Sequence, residues 1–191
     1  MTSEKLDRRV KYTKKVLKES LVEILEKKNI DKITIKEICE KADINRSTFY
    51  THYYDQYDLL HQIENEVIQG INEHLENYYF KSSRELESYE TLKGIFDYIV
   101  ENSKVCKVLL GENGIIELQK KILMIVQEQI IRKWQKEASL NNETAEYLLL
   151  FSVNGSIGIV QKWIQSGMKK PSDEIAKMIL TVTSKGLSAY I

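Results

Sequence analysis

Apolar side chains recur at three- and four-residue spacing along almost the whole chain. The clearest run lies between residues 55 and 79, where the apolar positions are Leu60, Ile63, Val67, Ile71, Leu75 and Tyr78. This spacing places them on one face of an α-helix. No segment shows the alternation of a half-buried strand, and the chain has a single proline. The pattern therefore predicts an all-α protein of about nine helices.

The same periodicity predicts where each helix lies. The expected spans are 7–28, 35–42, 46–53, 55–79, 89–102, 104–110, 115–134, 142–167 and 171–189, with a loop at 81–85. The first three helices form a small bundle, and the fourth is longer than that bundle needs. We therefore expect the long helix to join two domains, at 1–60 and 61–191.

The stretch from 34 to 60 carries the strongest local signals. Thr34 and Glu37 have the spacing of a capping box at a helix start. Asp43 stands where that helix ends and tolerates a left-handed turn. Asn45 and Asp55 are suited to cap the next two helices. Two short helices joined by a tight turn are typical of a helix-turn-helix, whose second helix can enter a DNA major groove.

The second short helix has one apolar and one polar side. If Phe49 and Tyr53 face the core with Ile44, the remaining side chains face outward or lie on the flanks. These are Arg46, Ser47, Thr48, Tyr50, Thr51 and His52. Such groups can donate hydrogen bonds to phosphates and base edges. By periodicity alone, an ordinary amphipathic helix pair with a polar surface fits equally well.

The segment ITIKEICEKADINRSTFYTHYYDQYDLL resembles the DNA-binding domain of TetR-family transcriptional regulators. The matching elements are the Thr34 cap, the helix from Ile38 to Ala42, the run Ser47-Thr48-Phe49-Tyr50, the aromatic Tyr53 and Asp55 with Leu59-Leu60. The resemblance covers roughly Lys11 to Ile63. The sequence departs from the family pattern at Asp43, where Gly is usual, and at Gln56, where a basic residue is common. A weaker resemblance to one helical subgroup covers Leu109 to Gly114, Asn154-Gly155-Ser156 and Trp163-Ile164.

The resemblance implies a sequence-specific transcriptional regulator that is a homodimer on a palindromic double-stranded operator. It further implies a repressor released when the C-terminal domain binds a small-molecule effector. The DNA contacts carried over are Thr34, Lys36, Arg46, Ser47, Thr48, Tyr50, Thr51 and His52. Arg46, at the helix start, is the candidate for base reading. The alternatives are a transcriptional activator controlled by a protein partner and a helical protein-interaction module.

The eighth helix is apolar nearly all round from Leu148 to Ile164, so we expect it to be buried on most sides. Its glycines cost helix stability, which close packing of another backbone would explain. A central core helix and a subunit interface are both consistent with this pattern. TetR-like proteins pair through their last two long helices, which favours the interface. The interface candidates are Gly155, Gly158, Trp163, Ile179 and Val182.

Large apolar side chains in the C-terminal part suggest a binding pocket. The set is Phe96, Met124, Trp134, Tyr147, Phe151 and Trp163. Of these, Phe96, Trp134, Tyr147 and Phe151 are the candidates for contact with an effector. For any one of these residues plain core packing is the favoured explanation, and the sequence does not identify a ligand.

Charge is unevenly distributed, although the formal net charge is zero. Residues 1–18 carry seven basic and two acidic side chains, 7 − 2 = +5. Such a segment suits a phosphate-facing arm, and it also suits a solvated chain end. Residues 61–191 carry 15 basic and 17 acidic side chains, 15 − 17 = −2.

Several classes of protein are not supported. The charged start is not a signal peptide, and the longest uncharged stretch, 147–161, is too short and polar to span a membrane. We therefore expect a cytoplasmic protein. The pair Cys39 and Cys106 is expected to be buried and reduced. No phosphate-binding loop, zinc pair or nucleophile elbow occurs, so neither an enzyme, a metal site nor a cofactor is predicted.

Overall fold

A computed structural model describes residues 3–79, 85–111, 115–122, 124–125 and 142–187. Its helices are α1 (Ser3–Leu25), α2 (Ile35–Ala42), α3 (Arg46–Tyr50), α4 (Gln56–Tyr79), α5 (Glu85–Glu101), α6 (Ser103–Leu110), α7 (116–122 and 124–125), α8 (Asn142–Gln165) and α9 (Ser172–Leu187). A 3₁₀ turn, Ile30–Lys32, lies between α1 and α2. The described residues contain no strand, and the predicted all-α fold of about nine helices is confirmed.

The third helix is shorter than predicted. It ends at Tyr50, because the following backbone N–H groups bond three residues back instead of continuing the α pattern. Thr51 donates to the Thr48 carbonyl at 3.3 Å, and His52 donates to the Phe49 carbonyl at 2.9 Å. The Thr51 hydroxyl also donates to the Thr48 carbonyl, at 2.6 Å. The chain therefore tightens into a turn before α4.

The chain divides into two compact units, Met1–Val67 (unit one) and Ile68–Ile191 (unit two). The division falls inside α4, so this helix contributes to both units. Unit one has its own core, because the inward side chains of all four of its helices are buried. The buried side chains of these helices and of the turns between them include Leu17, Leu21, Ile33, Ile38, Phe49, Tyr53, Leu59 and Ile63.

Unit two is built on α5 and α9. The Ser172 hydroxyl, at the start of α9, donates to the carboxylate of Asp97 on α5. The Tyr89 hydroxyl on α5 donates to the carboxylate of Asp173. Trp163 of α8 packs edge-on against Phe96, with ring centroids 5.7 Å apart. Its indole N–H donates to the Lys170 carbonyl at 2.8 Å, which fixes the loop between α8 and α9.

The expectation that α8 is buried on most sides is wrong for the isolated chain. Val153, Trp163 and Ile164 are buried, yet Tyr147, Leu150 and Phe151 are 68%, 52% and 72% exposed. A single protomer therefore covers one face of this apolar helix and leaves the other open. Among the described helices, none is both long and apolar enough to cross a membrane.

Candidate nucleic-acid interface

The start of α2 is held by a complete capping box. The Thr34 hydroxyl accepts from the Glu37 N–H at 3.2 Å, and the Glu37 carboxylate accepts from the Thr34 N–H at 3.0 Å. Lys28 is ion-paired with the same carboxylate. This ammonium is the main cause of a lowered pKa at Glu37, and the Thr34 hydrogen bonds add to it. The N-terminal turn of α2 is therefore fixed by three residues.

The turn between α2 and α3 is closed by the backbone. Asp43 has a left-handed conformation, with φ of 53°. Its N–H donates to the carbonyls of Cys39 and Glu40 in the last turn of α2. The Ile44 N–H donates to the Cys39 carbonyl at 3.0 Å. The side chain of Asn45 then accepts from the Ser47 N–H at 3.2 Å and starts α3. Aspartate thus replaces the usual glycine without disturbing the turn.

The inward side of α3 is anchored by aromatic rings. Phe49 and Tyr53 are 0% and 2% exposed, with ring centroids 5.6 Å apart. Burial raises the pKa of Tyr53 to about 12, and its hydroxyl has no hydrogen-bond partner among the described residues. The predicted inward orientation of both residues is confirmed, so the opposite side of α3 faces solvent.

The outward side of the turn and α3 presents the predicted polar groups. Arg46, Ser47, Tyr50 and Thr51 are exposed, whereas Thr48 and His52 are half-buried on the flanks. Arg46 forms no ion pair with any described residue, so its guanidinium is available to an anionic partner. Tyr50 is 58% exposed and leans edge-on against Phe49.

The hydroxyl groups on this surface differ in whether they already form hydrogen bonds within the protein. The Thr34 hydroxyl also donates to Glu37, at 3.1 Å, and the Thr51 hydroxyl is bonded to Thr48. Within the described part of the chain, the hydroxyls of Ser47, Thr48 and Tyr50 form no hydrogen bond. The latter three can therefore donate to a phosphate without breaking an existing bond. Thr34 would first have to release its capping carboxylate.

Several basic side chains near this surface are already neutralised. Lys18 pairs with Glu66, Lys41 with Glu23 and Lys36, more loosely at 3.7 Å, with Glu40. On α1, Arg8 and Arg9 are exposed, whereas the side chain of Lys5 lies outside the described residues. The cations that form no ion pair with a described residue thus include Arg46, Arg8 and Arg9.

Sequence reasoning missed one long-range tie in unit one. The hydroxyl of Tyr57, in the first turn of α4, donates to Asp31 in the 3₁₀ turn at 2.9 Å. Asp55 caps the same turn by accepting from the Asp58 N–H at 2.8 Å. The two tied residues are 26 positions apart, so no local pattern signals their contact. The tie holds the start of α4 against the entry to α2.

The candidate effector residues do not form one cluster among the described residues. Phe96 is 3% exposed and packs on Trp163, whereas Tyr147 and Phe151 lie on the open face of α8. Trp134 lies outside the described residues. A surface groove of about 290 Å³ runs between α8 and α9. Its lining residues are Leu148, Phe151, Ser152, Gly155, Ser156, Ile159, Ile179, Val182, Thr183 and Gly186.

The candidate interface residues fall into two groups. Gly155 and Gly158 are exposed and have no neighbouring atom within 4 Å of a Cβ position, and Val182 is 53% exposed. Trp163 and Ile179 are 3% and 4% exposed, because they pack inside their own unit. The first group therefore lies on the surface of the protomer, whereas the second is part of the core of unit two.

The described residues support neither a metal-binding site nor a reactive thiol. No group of three or more His, Cys, Asp or Glu side chains there could hold a metal ion. The two cysteines are buried and unpaired, as predicted. Burial raises the pKa of Cys106 to about 12, which suppresses its thiolate.

Sequence comparison identifies the class of protein. A family model for the C-terminal region of TetR-type transcriptional regulators matches residues 86–185, just over half of the chain. The chain therefore belongs to the TetR family of transcriptional regulators. This is a family of regulators and not of enzymes, and its members bind DNA and small-molecule effectors.

Individual relatives agree with that assignment. An uncharacterised helix-turn-helix transcriptional regulator of Bacillus subtilis, YxbF, is 37% identical over 71 residues. The match spans 37% of this chain and only 19% of that relative's length.

Two solved structures share the fold. A TetR regulator from Streptococcus agalactiae aligns over 95% of this chain and 99% of its own, with a TM-score of 0.65 and 19% identity. The regulator FadR from Bacillus subtilis, in complex with stearoyl-CoA, aligns over 90% and 97%, with a TM-score of 0.62 and 15% identity. At these identities the likeness concerns the fold alone.

Proposed function

We propose that this TetR-type regulator binds a specific palindromic operator as a homodimer in the cytoplasm and represses transcription until an effector releases it. The observation that carries the proposal is the outward side of α3. There Arg46, which forms no ion pair with a described residue, and the hydroxyls of Ser47, Thr48 and Tyr50, which form no hydrogen bond with one, lie on a helix with a capped start. Rigid caps and buried aromatic anchors hold these groups in place before DNA arrives.

The side chains have different proposed roles. Arg46 reads a base edge, since a guanidinium can bind guanine with two hydrogen bonds. Ser47, Thr48 and Tyr50 contact phosphates, with Thr51 and His52 beside them. Lys36 and Thr34 reach the backbone from the start of α2, in competition with Glu40 and Glu37. Phosphate contacts set the register of the protein, whereas the base contact supplies specificity.

We assign DNA binding to residues 1–60, and effector binding and dimerisation to 61–191. The open faces of α8 and α9 support a two-fold interface, because a protomer alone leaves Phe151 and Val182 exposed. Gly155 and Gly158 permit a partner backbone to approach, and the buried Trp163 and Ile179 support the surface. A second copy would cover the groove between the two helices.

An effector bound in unit two is proposed to control operator affinity. The FadR neighbour is in complex with stearoyl-CoA, so a protein of this fold can bind a fatty acyl-CoA. Here Phe96, Tyr147 and Phe151 are the candidate contacts, together with Trp134. An effector of this kind should change operator affinity by about five- to 150-fold, the usual range of coupling between sites.

The direct test is DNA binding by the whole protein. An operator is selected from a random duplex pool, and its affinity is compared with that of a scrambled duplex of equal length. The DNA upstream of the protein's own gene is tested in parallel. We expect tight, salt-sensitive binding to the selected duplex. Equal, weak binding to both duplexes would contradict the proposed function.

The alternative is an activator or interaction module controlled by a protein partner. The observation that favours it is the apolar patch formed by Tyr147, Leu150 and Phe151 on α8. A contiguous exposed apolar patch often marks a site of protein–protein contact. A monomer that binds a protein through this patch, and binds no DNA, would favour the alternative.

A further inference from the structure

Two glycines in unit two, one on α4 and one on α5, each lie under an aromatic ring of the other helix. A Cβ built on Gly70 of α4 would lie 2.2 Å from Cζ of Tyr98 on α5 and 2.5 Å from its hydroxyl oxygen. Real Cβ atoms do not approach other atoms so closely. The ring of Tyr98 therefore rests directly on the α4 backbone, and a larger residue at position 70 would displace it.

The arrangement is reciprocal. A Cβ on Gly94 of α5 would lie 2.7 Å from Nδ1 of His74 on α4. Gly70 and His74 are four residues apart, as are Gly94 and Tyr98, so each helix presents a glycine and a ring on one face. The two ring centroids lie 6.2 Å apart. We refer to these four residues as the glycine–ring joint.

The joint explains glycines that otherwise weaken both helices. Each costs about 1 kcal/mol relative to Ala in a helix interior. A helix that needed only an apolar stripe would have no use for them, since Ile71 and Leu75 already supply buried apolar surface on α4. The ring of Tyr98 fits only over a residue without a Cβ. Sliding α4 by one residue, about 1.5 Å, would place the ring against a side chain.

Helix α5 is itself held in place by α9. Asp97, next to Tyr98 in sequence, accepts from the Ser172 hydroxyl, and Lys177 lies 5.7 Å from the centroid of the Tyr89 ring. The Lys93 ammonium and then the Ser172 hydroxyl hold the pKa of Asp97 below its usual range. α5 therefore has a fixed position on α9, one of the two proposed interface helices.

The other end of α4 belongs to unit one, whose last residue, Val67, lies three positions before Gly70. We propose that Tyr98 is a positioning residue for DNA binding. Its ring, seated on Gly70, sets the register of α4 on α5 and so the spacing of the two DNA-binding units in a dimer. The inference rests on the proposed function, because it requires a dimer on a palindromic operator.

The test compares affinities for two duplexes of equal length. One carries the palindromic operator selected by the wild-type protein, and the other carries a single half-site. Gly70→Ala should lower affinity for the palindrome about five- to 150-fold, the usual range of coupling. Affinity for the half-site should stay within about twofold, because the α3 surface is untouched. Tyr98→Ala removes the ring itself and should lower the ratio of palindrome affinity to half-site affinity in the same direction.

Two controls separate positioning from plain packing. Tyr98→Phe keeps the ring on Gly70 and should keep the wild-type ratio. Gln69→Ala changes an exposed neighbouring position on α4 and should also leave it unchanged. If Gly70→Ala does not fold, Tyr98→Ala, which introduces no clash, tests the positioning role instead. The measured quantity is again the ratio of palindrome affinity to half-site affinity.

Three results are distinguishable. An unchanged ratio in Gly70→Ala and Tyr98→Ala would overturn the role of Tyr98. Equal losses on both duplexes, with a lower melting temperature, would also overturn it by showing that the joint serves stability alone. A wild-type protein that binds neither duplex would instead overturn the proposed function.

Discussion

Thr34 and Glu37 bind each other's backbone: each side chain accepts a hydrogen bond from the N–H group of the other residue, at 3.2 and 3.0 Å. The pair fixes the first turn of α2, on which the turn and α3 are built. Because Lys28 pairs with the same carboxylate, the cap carries a charge as well as two hydrogen bonds. Its contribution to stability should therefore depend on pH.

Removing the cap should destabilise the protein. Thr34→Ala loses the acceptor for the Glu37 N–H and should cost about 0.5–2 kcal/mol of unfolding free energy. Thr34→Ser retains the hydroxyl and is the matched control. Denaturant unfolding followed by circular dichroism measures both variants. Equal stability of the Ala and Ser variants would show that solvent replaces the cap without loss.

The charge on Glu37 predicts a pH dependence. Lys28, followed by Thr34, lowers the pKa of this carboxyl in the folded protein from its ordinary value of 4.5. The stabilisation is present above that value and is lost as the pH falls through the lowered pKa. Glu37→Gln keeps a side chain that can cap but removes the charge. The stability difference between wild type and Glu37→Gln should shrink between pH 7 and 3, and a constant difference would contradict the prediction.

Base reading by Arg46 predicts a selective loss of affinity. Arg46→Ala should cost about 1–3 kcal/mol on the selected operator and little on random DNA. Lys36→Ala is the contrasting variant, because a phosphate contact should weaken binding to both duplexes alike. Fluorescence anisotropy at fixed salt measures the affinities of wild type and both variants for both duplexes. Equal losses on both duplexes for Arg46→Ala would show that this residue only positions the protein.

The basic start of α1 predicts a change in salt dependence. The double variant Arg8→Gln, Arg9→Gln removes two exposed charges while preserving helix-forming side chains. If both contact phosphates, the slope of log affinity against log salt should fall by about 1.8, at about 0.9 per phosphate. Lys120→Gln with Lys121→Gln removes two exposed charges from unit two and should leave the slope unchanged. An unaltered slope in the arginine variant would assign these residues to the solvated chain end.

The interface hypothesis predicts a folded monomer from a single substitution. A Cβ at Gly158 meets no atom within 4 Å in the protomer, and Leu is a better helix former than Gly. Gly158→Leu should therefore keep the helical fold but block the approach of a second copy. Light scattering should report a dimer for wild type and a monomer for the variant. Lys104→Leu, at an exposed position on α6 and outside the proposed interface, should remain a dimer, and a monomeric wild type would contradict the interface.

Effector control predicts reciprocal coupling. If a small molecule weakens operator binding by some factor, operator DNA must weaken binding of that molecule by the same factor. A ligand found by thermal-shift screening is titrated calorimetrically with and without the operator. Equal affinity in the two titrations would contradict effector control. Dimerisation would then be the one proposed role left for unit two.

The elements of unit one could be predicted from sequence because their signals are local. Thr34 and Glu37 are three residues apart, and Asn45 caps an N–H only two residues ahead. The conformation of Asp43 depends on its own side chain and the end of α2. Such interactions require little more than the helix itself. The periodicity of Phe49 and Tyr53 likewise determined which side of α3 is buried.

Contacts between distant residues were decided by the tertiary structure. Tyr57 meets Asp31 across 26 residues, and the ring of Tyr98 lies on Gly70 across 28. In the sequence, a glycine within a helical pattern indicates only a position that weakens the helix. The ring that packs on it is known only from the structure. The apolar pattern of α8 predicted burial but not what would cover Phe151, which is 72% exposed in the protomer. Periodicity specifies that a face avoids water, whereas the packing of whole helices, and of a second chain, determines what covers it.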